Sequence, residues 1–173
     1  ANTSQHLQQL RQAGLVACRK EGIKVYYRIS DNDVLELFGS LRRVAERHLA
    51  EVNRLVQTYL TTRDALEPLA RSELLERVRD GLVTVLDVRP PEEYAAGHVP
   101  GAVNVPLAQL EEQLDELDPE HEVVAYCRGP HCILAFEAVA RLRESGFTAR
   151  RLQDGFPEWK LAGLPVENTS NEK

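Results

Sequence analysis

The chain reads as an α/β protein built on a parallel sheet, preceded by a smaller helix–hairpin–helix unit, and three observations lead there. From residue 83 onward, short Val-rich runs alternate with Ala-, Leu- and Glu-rich segments, the pattern of strands joined by crossover helices. Before residue 60 the order is different: a helix, two alternating strands around a glycine turn, then a long amphipathic helix. The charge divides as well. Residues 1–60 carry nine Lys/Arg and six Asp/Glu, a balance of +3, and residues 61–173 carry twelve and twenty-one, a balance of −9, which sum to the net −6. Residues 1–30 hold five basic groups against one acidic. A basic piece joined to an acidic one points to two jobs, with the basic piece the candidate for nucleic acid, although an uneven surface without function gives the same balance.

Each element has its own signal. Leu7, Leu10 and Ala13 recur at helical spacing, and Gly14 supplies a C-terminal stop. Leu15–Lys20 and Ile23–Ile29 read as strands joined by a Glu21-Gly22 turn, a β-hairpin. Ser30 is the expected N-cap of the next helix, with acidic Asp33 three places later. That helix is expected from Asp33 to Leu60, with apolar Val34, Leu37, Leu41, Val44, Leu49, Val52, Leu55, Val56 and Tyr59. One short hairpin cannot cover so much apolar surface, so the helix is expected to pack on a second copy or on further parts of its domain.

Residues 61–71, with Glu67-Pro68, read as a linker. A helix over Ser72–Arg79, a strand over Val83–Val88, a helical turn over Pro91–Ala96 and the segment Gly97–Pro106 follow. A helix over Leu107–Leu117, a strand ending at Cys127, a helix after it, a last strand at Ala149–Leu152 and a short helix near Trp159 complete the order. The expected organisation is therefore 1–60, a linker at 61–71, an α/β domain at 72–167 and a polar tail at 168–173.

The composition is 43% hydrophobic and 28% charged, ordinary for a globular protein. No run approaches the roughly 18 to 20 apolar residues of a membrane span, and no basic-then-apolar leader is seen. Three cysteines do not make a disulfide framework, so a reducing, cytoplasmic setting is expected.

The richest stretch is Val123-Val124-Ala125-Tyr126-Cys127-Arg128-Gly129-Pro130-His131-Cys132, leading into Ile133-Leu134-Ala135-Phe136-Glu137-Ala138. It reads as a buried strand, a tight loop opening on a cysteine, and a helix. Such a loop aims backbone N–H groups and a helix start at the sulfur, which lowers a thiol's pKa and favours the nucleophilic thiolate. A buried structural cysteine at a strand end is the alternative reading.

With this loop go Leu86-Asp87-Val88-Arg89-Pro90-Pro91-Glu92-Glu93-Tyr94, Gly97-His98-Val99-Pro100-Gly101-Ala102-Val103-Asn104-Val105-Pro106, Asp154-Gly155-Phe156-Pro157-Glu158-Trp159 and Ala162-Gly163-Leu164-Pro165-Val166. Through these segments, residues 65–167 resemble a single-domain rhodanese. The resemblance implies sulfur transfer through a persulfide on Cys127, from a sulfane-sulfur donor to a thiol or cyanide acceptor. It implies that the loop Arg128, Gly129, Pro130, His131, Cys132 and Ile133 binds the anion, with Arg128 adding positive charge. Phosphatases and arsenate reductases of related fold carry an arginine six places after the cysteine; Ile133 stands there, which favours sulfur over oxyanions.

Several residues have two readings. Cys132 is either a thiol that resolves a Cys127 persulfide or a small residue lining the loop. His131 is either a donor to the persulfide or a solvent-facing residue. Asp87 and Arg89 are expected to brace the site as a structural ion pair, and His98 to stabilise its turn. Trp159, Phe156 and Leu164 are expected in the core rather than in a substrate pocket. Cys127, His131 and Cys132 share one loop with no second ligand pair at zinc-like spacing, so no metal is expected, and no cofactor.

The run Thr3-Ser4-Gln5-His6-Leu7-Gln8-Gln9-Leu10-Arg11-Gln12-Ala13-Gly14-Leu15-Val16, the hairpin Arg19-Lys20-Glu21-Gly22-Ile23-Lys24-Val25-Tyr26-Tyr27-Arg28-Ile29 and the long helix resemble part of an ArsR/SmtB-type winged helix-turn-helix repressor. The family's preceding helices are not in this sequence, and an upstream segment is expected. The resemblance implies that Ser4, Gln5, Gln8 and Arg11 face the major groove of an operator, while Arg19, Lys20, Lys24 and Arg28 hold phosphates from the wing. It places Leu7 and Leu10 in the core, His6 partly buried, Cys18 as a small strand residue or a sensor thiol, and the dimer interface on residues 33–60.

Three functions follow as expectations. The first is a cytoplasmic, homodimeric transcriptional regulator whose Cys127 persulfide state biases DNA binding. The second is a sulfurtransferase, with the N-terminal unit serving only dimerisation. The third is a partner-binding domain without chemistry.

Overall fold

The computed structural model describes residues 2–49, 51, 54, 58 and 68–169, in two units that divide between Val52 and Asn53. In the first unit, α1 spans Asn2–Gln12. It stops at Gly14, whose φ of +75° only glycine adopts freely. Gly14 N–H donates to the Arg11 carbonyl at 3.0 Å and Leu15 N–H to the Leu10 carbonyl at 2.9 Å, the bond pair of a glycine-capped helix end.

Strands β1 (Val16–Glu21) and β2 (Lys24–Ile29) pair antiparallel, with Glu21 opposite Lys24. The turn is Gly22-Ile23, one residue later than the expected Glu21-Gly22. Gly22, at φ +58°, takes the first central position that a tight hairpin reserves for glycine, leaving Glu21 free to face Lys24.

Helix α2 covers Asn32–His48. Its N-cap is Asp31 rather than the expected Ser30: the Asp31 carboxylate accepts from Val34 N–H at 3.0 Å and also meets the positive end of the helix. The helix ends at His48, with Leu49 extended, so the single helix expected over 33–60 is not formed. The stop falls where the apolar stripe slips. The step from Val44 to Leu49 is five residues, which at 3.6 residues per turn moves the stripe about 140° around the axis. Val52, Leu55, Val56, Tyr59 and Leu60 of the expected helix lie outside the described residues.

Among the described residues of this unit only Val34 is buried. Leu10, expected in the core, is 36% exposed, and His6, expected partly buried, is exposed. One hairpin and two helices enclose too little volume to bury both faces of α1.

In the second unit, α3 (Arg71–Arg79) leads to β3 (Val83–Asp87), α4 (Pro91–Ala96) and β4 (Val103–Asn104). β5 (Glu122–Tyr126), α5 (Ile133–Glu144), β6 (Ala149–Arg151) and α6 (Phe156–Leu161) follow. The sheet order is β4-β3-β5-β6, all parallel. The helix expected over 107–117 is instead two short 3-10 turns, Leu107–Glu112 and Leu114–Glu116. Leu110 within the first and Leu117 just after the second are nevertheless buried, so the apolar spacing marks burial here while misreporting the helix type.

The strands alternate between two cores. Leu86, Val123, Ala125 and Cys127 face one side, where Ala135, Ala138, Val139 and Leu142 of α5 cover them. Val85, Val124 and Tyr126 face the other, against Leu74, Leu152 and Trp159. The expected linker at 61–71 gives up its end to this unit: Leu69 is fully buried and pairs with Leu152 in a parallel bridge, because an edge beside β6 is open to it. Residues 61–67 and 170–173 lie outside the described residues. Of the expected polar tail, Thr169 N–H donates to the Ala95 carbonyl at 3.2 Å.

Candidate functional site

β5 delivers Cys127 at its C-terminal end, where ligands collect in open parallel sheets. The cysteine is 1% exposed, on the α5 side of the sheet. The chain then turns through Arg128-Gly129-Pro130-His131 and enters α5 with Cys132 as its N-cap. Cys132 N–H donates to the Gly129 carbonyl at 3.1 Å and closes the turn. Cys132 therefore sits at the positive end of a twelve-residue helix.

The two thiols meet. Cys127 and Cys132 are joined as a disulfide, with their Cα atoms 6.2 Å apart, within the span such a bridge allows. One bridge among three cysteines is not a framework; a tight loop makes this pairing locally. Cys18 is a free, exposed thiol.

Asp87 and Arg89 form a buried ion pair behind the loop, the residues being 0% and 4% exposed. Arg89 Nη2 lies 2.6 Å from Asp87 Oδ2 and also donates to the Gly97 carbonyl at 2.8 Å. Asp87 accepts from the Tyr126 hydroxyl at 2.6 Å as well, and Val99 N–H donates to that hydroxyl oxygen at 3.1 Å. Burial opposes the Arg89 charge, but the Asp87 hydrogen bonds and carboxylate outweigh it, and the guanidinium's pKa is raised. Burial, then the Asp87 charge, push the Tyr126 phenol up, keeping it a neutral donor. The Arg89 guanidinium stacks 4.3 Å from the Phe156 ring centroid, and Phe156 N–H donates to the Cys127 carbonyl at 2.9 Å. Phe156 thus links the Arg89 guanidinium, through its ring, to the Cys127 backbone, through its N–H.

The charge expected of Arg128 points elsewhere. Its guanidinium forks onto Glu93 at 2.5–3.0 Å, so its charge is paired on the exposed side of the loop. A different arginine lies under the loop. Arg151, at the end of β6, stacks 4.0 Å over the Phe136 ring of α5 and donates from Nη1 to the Pro130 carbonyl at 3.3 Å. Sequence reading passed over it, although strand alternation held the signal: with Ala149 inward, Arg151 must point inward and Arg150 outward. Arg150 accordingly reaches Glu73 and Glu122.

Gly155 was also passed over as a positioning residue. A Cβ there would fall 2.1 Å from the Gly129 nitrogen and 2.5 Å from the Arg128 carbonyl carbon, so the loop rests directly on bare backbone. His98 is buried in its turn, with Nδ1 2.9 Å from the Tyr94 carbonyl oxygen and its ring stacked on Tyr94. Trp159 is buried and donates from Nε1 to the Pro165 carbonyl at 2.7 Å, with Phe156 and Leu164 packed on the same core. His131 and Ile133 are exposed and Gly129 and Pro130 half-buried. No group of three or more His, Cys, Asp or Glu gathers as a metal site among the described residues. No described helix is long and apolar enough to cross a membrane.

In the first unit, Ser4, Gln5, Gln8 and Arg11 are exposed on α1, and Arg19, Lys20, Lys24 and Arg28 are exposed on the hairpin. Arg11 turns toward β1 and donates to Cys18 Sγ at 3.5 Å. Arg19 pairs with Glu21 at 3.2 Å, and Arg28 donates to the Ser30 carbonyl at 3.0 Å.

The chain is 47% identical over 164 residues to the HTH-type transcriptional regulator Rv0324 of Mycobacterium tuberculosis, covering 95% of this chain and 72% of that protein. It is 31% identical over 85 residues to a sulfurtransferase of Allochromatium vinosum, covering 49% of this chain and 78% of that one. A crystal structure of a Lactobacillus plantarum protein superposes with a TM-score of 0.57 at 28% identity, covering 68% of this chain and 98% of that chain. The pattern of the rhodanese-like domain itself matches residues 70–162, more than half of the sequence and the whole of the sheet and loop described above; the chain belongs to the rhodanese-like domain family.

Proposed function

We propose that the chain is a transcriptional regulator that reads sulfane sulfur through a persulfide on Cys127. The observation that carries this is the reach of one similarity across both units: the relative named as an HTH-type transcriptional regulator aligns over 95% of the chain. The Cys127 thiolate attacks the outer sulfur of a donor such as thiosulfate, forming a Cys127 S–S bond as sulfite leaves with the electron pair of the broken bond. The start of α5 and the loop amides stabilise the anionic persulfide.

In this reading the first unit is part of an ArsR-type winged helix-turn-helix. Ser4, Gln5, Gln8 and Arg11 on α1 approach base edges, and Arg19, Lys20, Lys24 and Arg28 approach phosphates. Operator DNA and a second copy of the chain are the partners. Leu37, Phe38, Leu41 and Val44 form an exposed apolar stripe on α2 at i, i+3 and i+4 spacing, which supports dimerisation there. Coupling requires that the sulfur state change DNA affinity.

The test is a binding-site selection from random duplex DNA by the full chain, followed by titration of the selected duplex with and without polysulfide. An affinity change of roughly tenfold, about 1.4 kcal/mol of coupling, is expected and is lost in Cys127→Ser. Selected DNA with equal affinity in both sulfur states would overturn the coupling. A failure to select any DNA would favour a sulfurtransferase, the reading that similarity to the Allochromatium vinosum enzyme supports.

A further inference from the structure

The loop holds a second thiol that the proposed sulfur transfer does not use. Cys132 lies five residues from Cys127, and the structure joins their sulfurs. The partner that Cys132 reaches is thus the Cys127 sulfur itself, which becomes the inner sulfur of a persulfide. Cys132 also caps α5, at the positive end of the helix, and the thiolate is the form that attacks sulfur. It is half-buried while Cys127 is buried, so the attack comes from the rim of the loop inward.

We propose that Cys132 is a second catalytic residue, which resolves the Cys127 persulfide and releases its outer sulfur as hydrosulfide. This rests on the Cys127 persulfide reading and extends it. The Cys132 thiolate attacks Cys127 Sγ, a Cys127–Cys132 S–S bond forms, and the bond from Cys127 Sγ to the outer sulfur breaks. The outer sulfur leaves with that electron pair and takes up the proton given up by the Cys132 thiol, departing as hydrosulfide. It is reduced from sulfane sulfur to sulfide, and the cysteine pair is oxidised from the dithiol to the disulfide level, so no further oxidant is required. The lasting mark of sulfane sulfur is then a closed loop at the start of α5 rather than a stored persulfide.

The experiment uses the full chain with Cys18→Ser throughout, reduced and freed of reductant under anaerobic conditions, then given inorganic polysulfide. Intact mass and released sulfide are read together. With both loop cysteines present, the protein is expected to end two hydrogens lighter than its dithiol form. It should release one more sulfide per chain than Cys132→Ser, which should end one sulfur heavier. Cys132→Ala repeats that arm, and circular dichroism checks its fold. A parent protein that keeps the added sulfur as Cys132→Ser does would overturn the resolving role while leaving the persulfide reading intact. A disulfide formed without the extra sulfide would overturn it too. A Cys132→Ser protein that gains no sulfur, or a Cys127→Ser protein that does, would overturn the persulfide reading and the resolving role with it.

Discussion

Gly155 carries the loop of Gly129 on its bare Cα: a side-chain carbon at 155 would sit 2.1 Å from the Gly129 nitrogen and 2.4 Å from its Cα. Both atoms are backbone, and neither can swing aside as a side chain would. Gly155→Ala is therefore expected to push the loop off its support. It should lower stability by about 3 kcal/mol, the upper end for overpacking, as read by urea denaturation. It should also slow persulfide formation on Cys127. Wild-type stability and rate in Gly155→Ala would show that the loop does not depend on this contact.

Arg89 is expected to matter more for the fold than its distance from the sulfur suggests. Arg89→Met removes the guanidinium paired with the fully buried Asp87 carboxylate. Loss of one partner of a buried pair costs on the order of 3–5 kcal/mol, while loss of both costs much less. The double variant Asp87→Leu with Arg89→Met should accordingly regain part of the stability in a denaturation cycle. Additive losses would argue against a coupled pair.

Tyr126→Phe leaves Asp87 without its 2.6 Å hydroxyl donor and is expected to cost about 1–3 kcal/mol. It also changes the pH dependence. Burial, then Asp87, raise the folded-state phenol above its ordinary value of 10.0. Its contribution is therefore complete below about pH 10 and is lost as pH rises beyond that, because the unfolded chain releases the proton first. Stability measured from pH 8 to 11 should fall more steeply in the parent than in Tyr126→Phe.

Arg151 holds the Pro130 carbonyl and the Phe136 ring with one planar group. Arg151→Met keeps the volume and loses both contacts, with an expected cost of about 2 kcal/mol. Arg151→Lys keeps the charge without the fork, and should recover only part of the stability and of the Cys127 modification rate. Full recovery in Arg151→Lys would assign the role to charge alone.

Leu41 is 62% exposed in the middle of the α2 stripe. Leu41→Glu is expected to move the full chain to half its parent mass in sedimentation equilibrium and to weaken DNA binding with it. A parent that sediments as a monomer would remove the α2 dimer.

Much of this protein was already present in its residue order. Strand–helix alternation and the inward periods of Val85–Asp87 and Val123–Cys127 determined the parallel α/β unit and the place of Cys127 at a strand end, because burial periodicity and turn chemistry are local properties of the chain. Gly14 and Gly22 announced a helix stop and a hairpin for the same reason, and only the turn's register moved. The tertiary structure decided what depends on approach between distant segments. It set Arg128 on Glu93 rather than at the sulfur, brought Arg151 under Pro130 and Gly155 under Gly129, and drew Leu69 to the sheet edge. It also ended α2 at His48 and closed Cys127 onto Cys132. Spacing states which residue types are available; which charge faces the thiol, and which thiol faces its neighbour, follows from how the backbone folds them together.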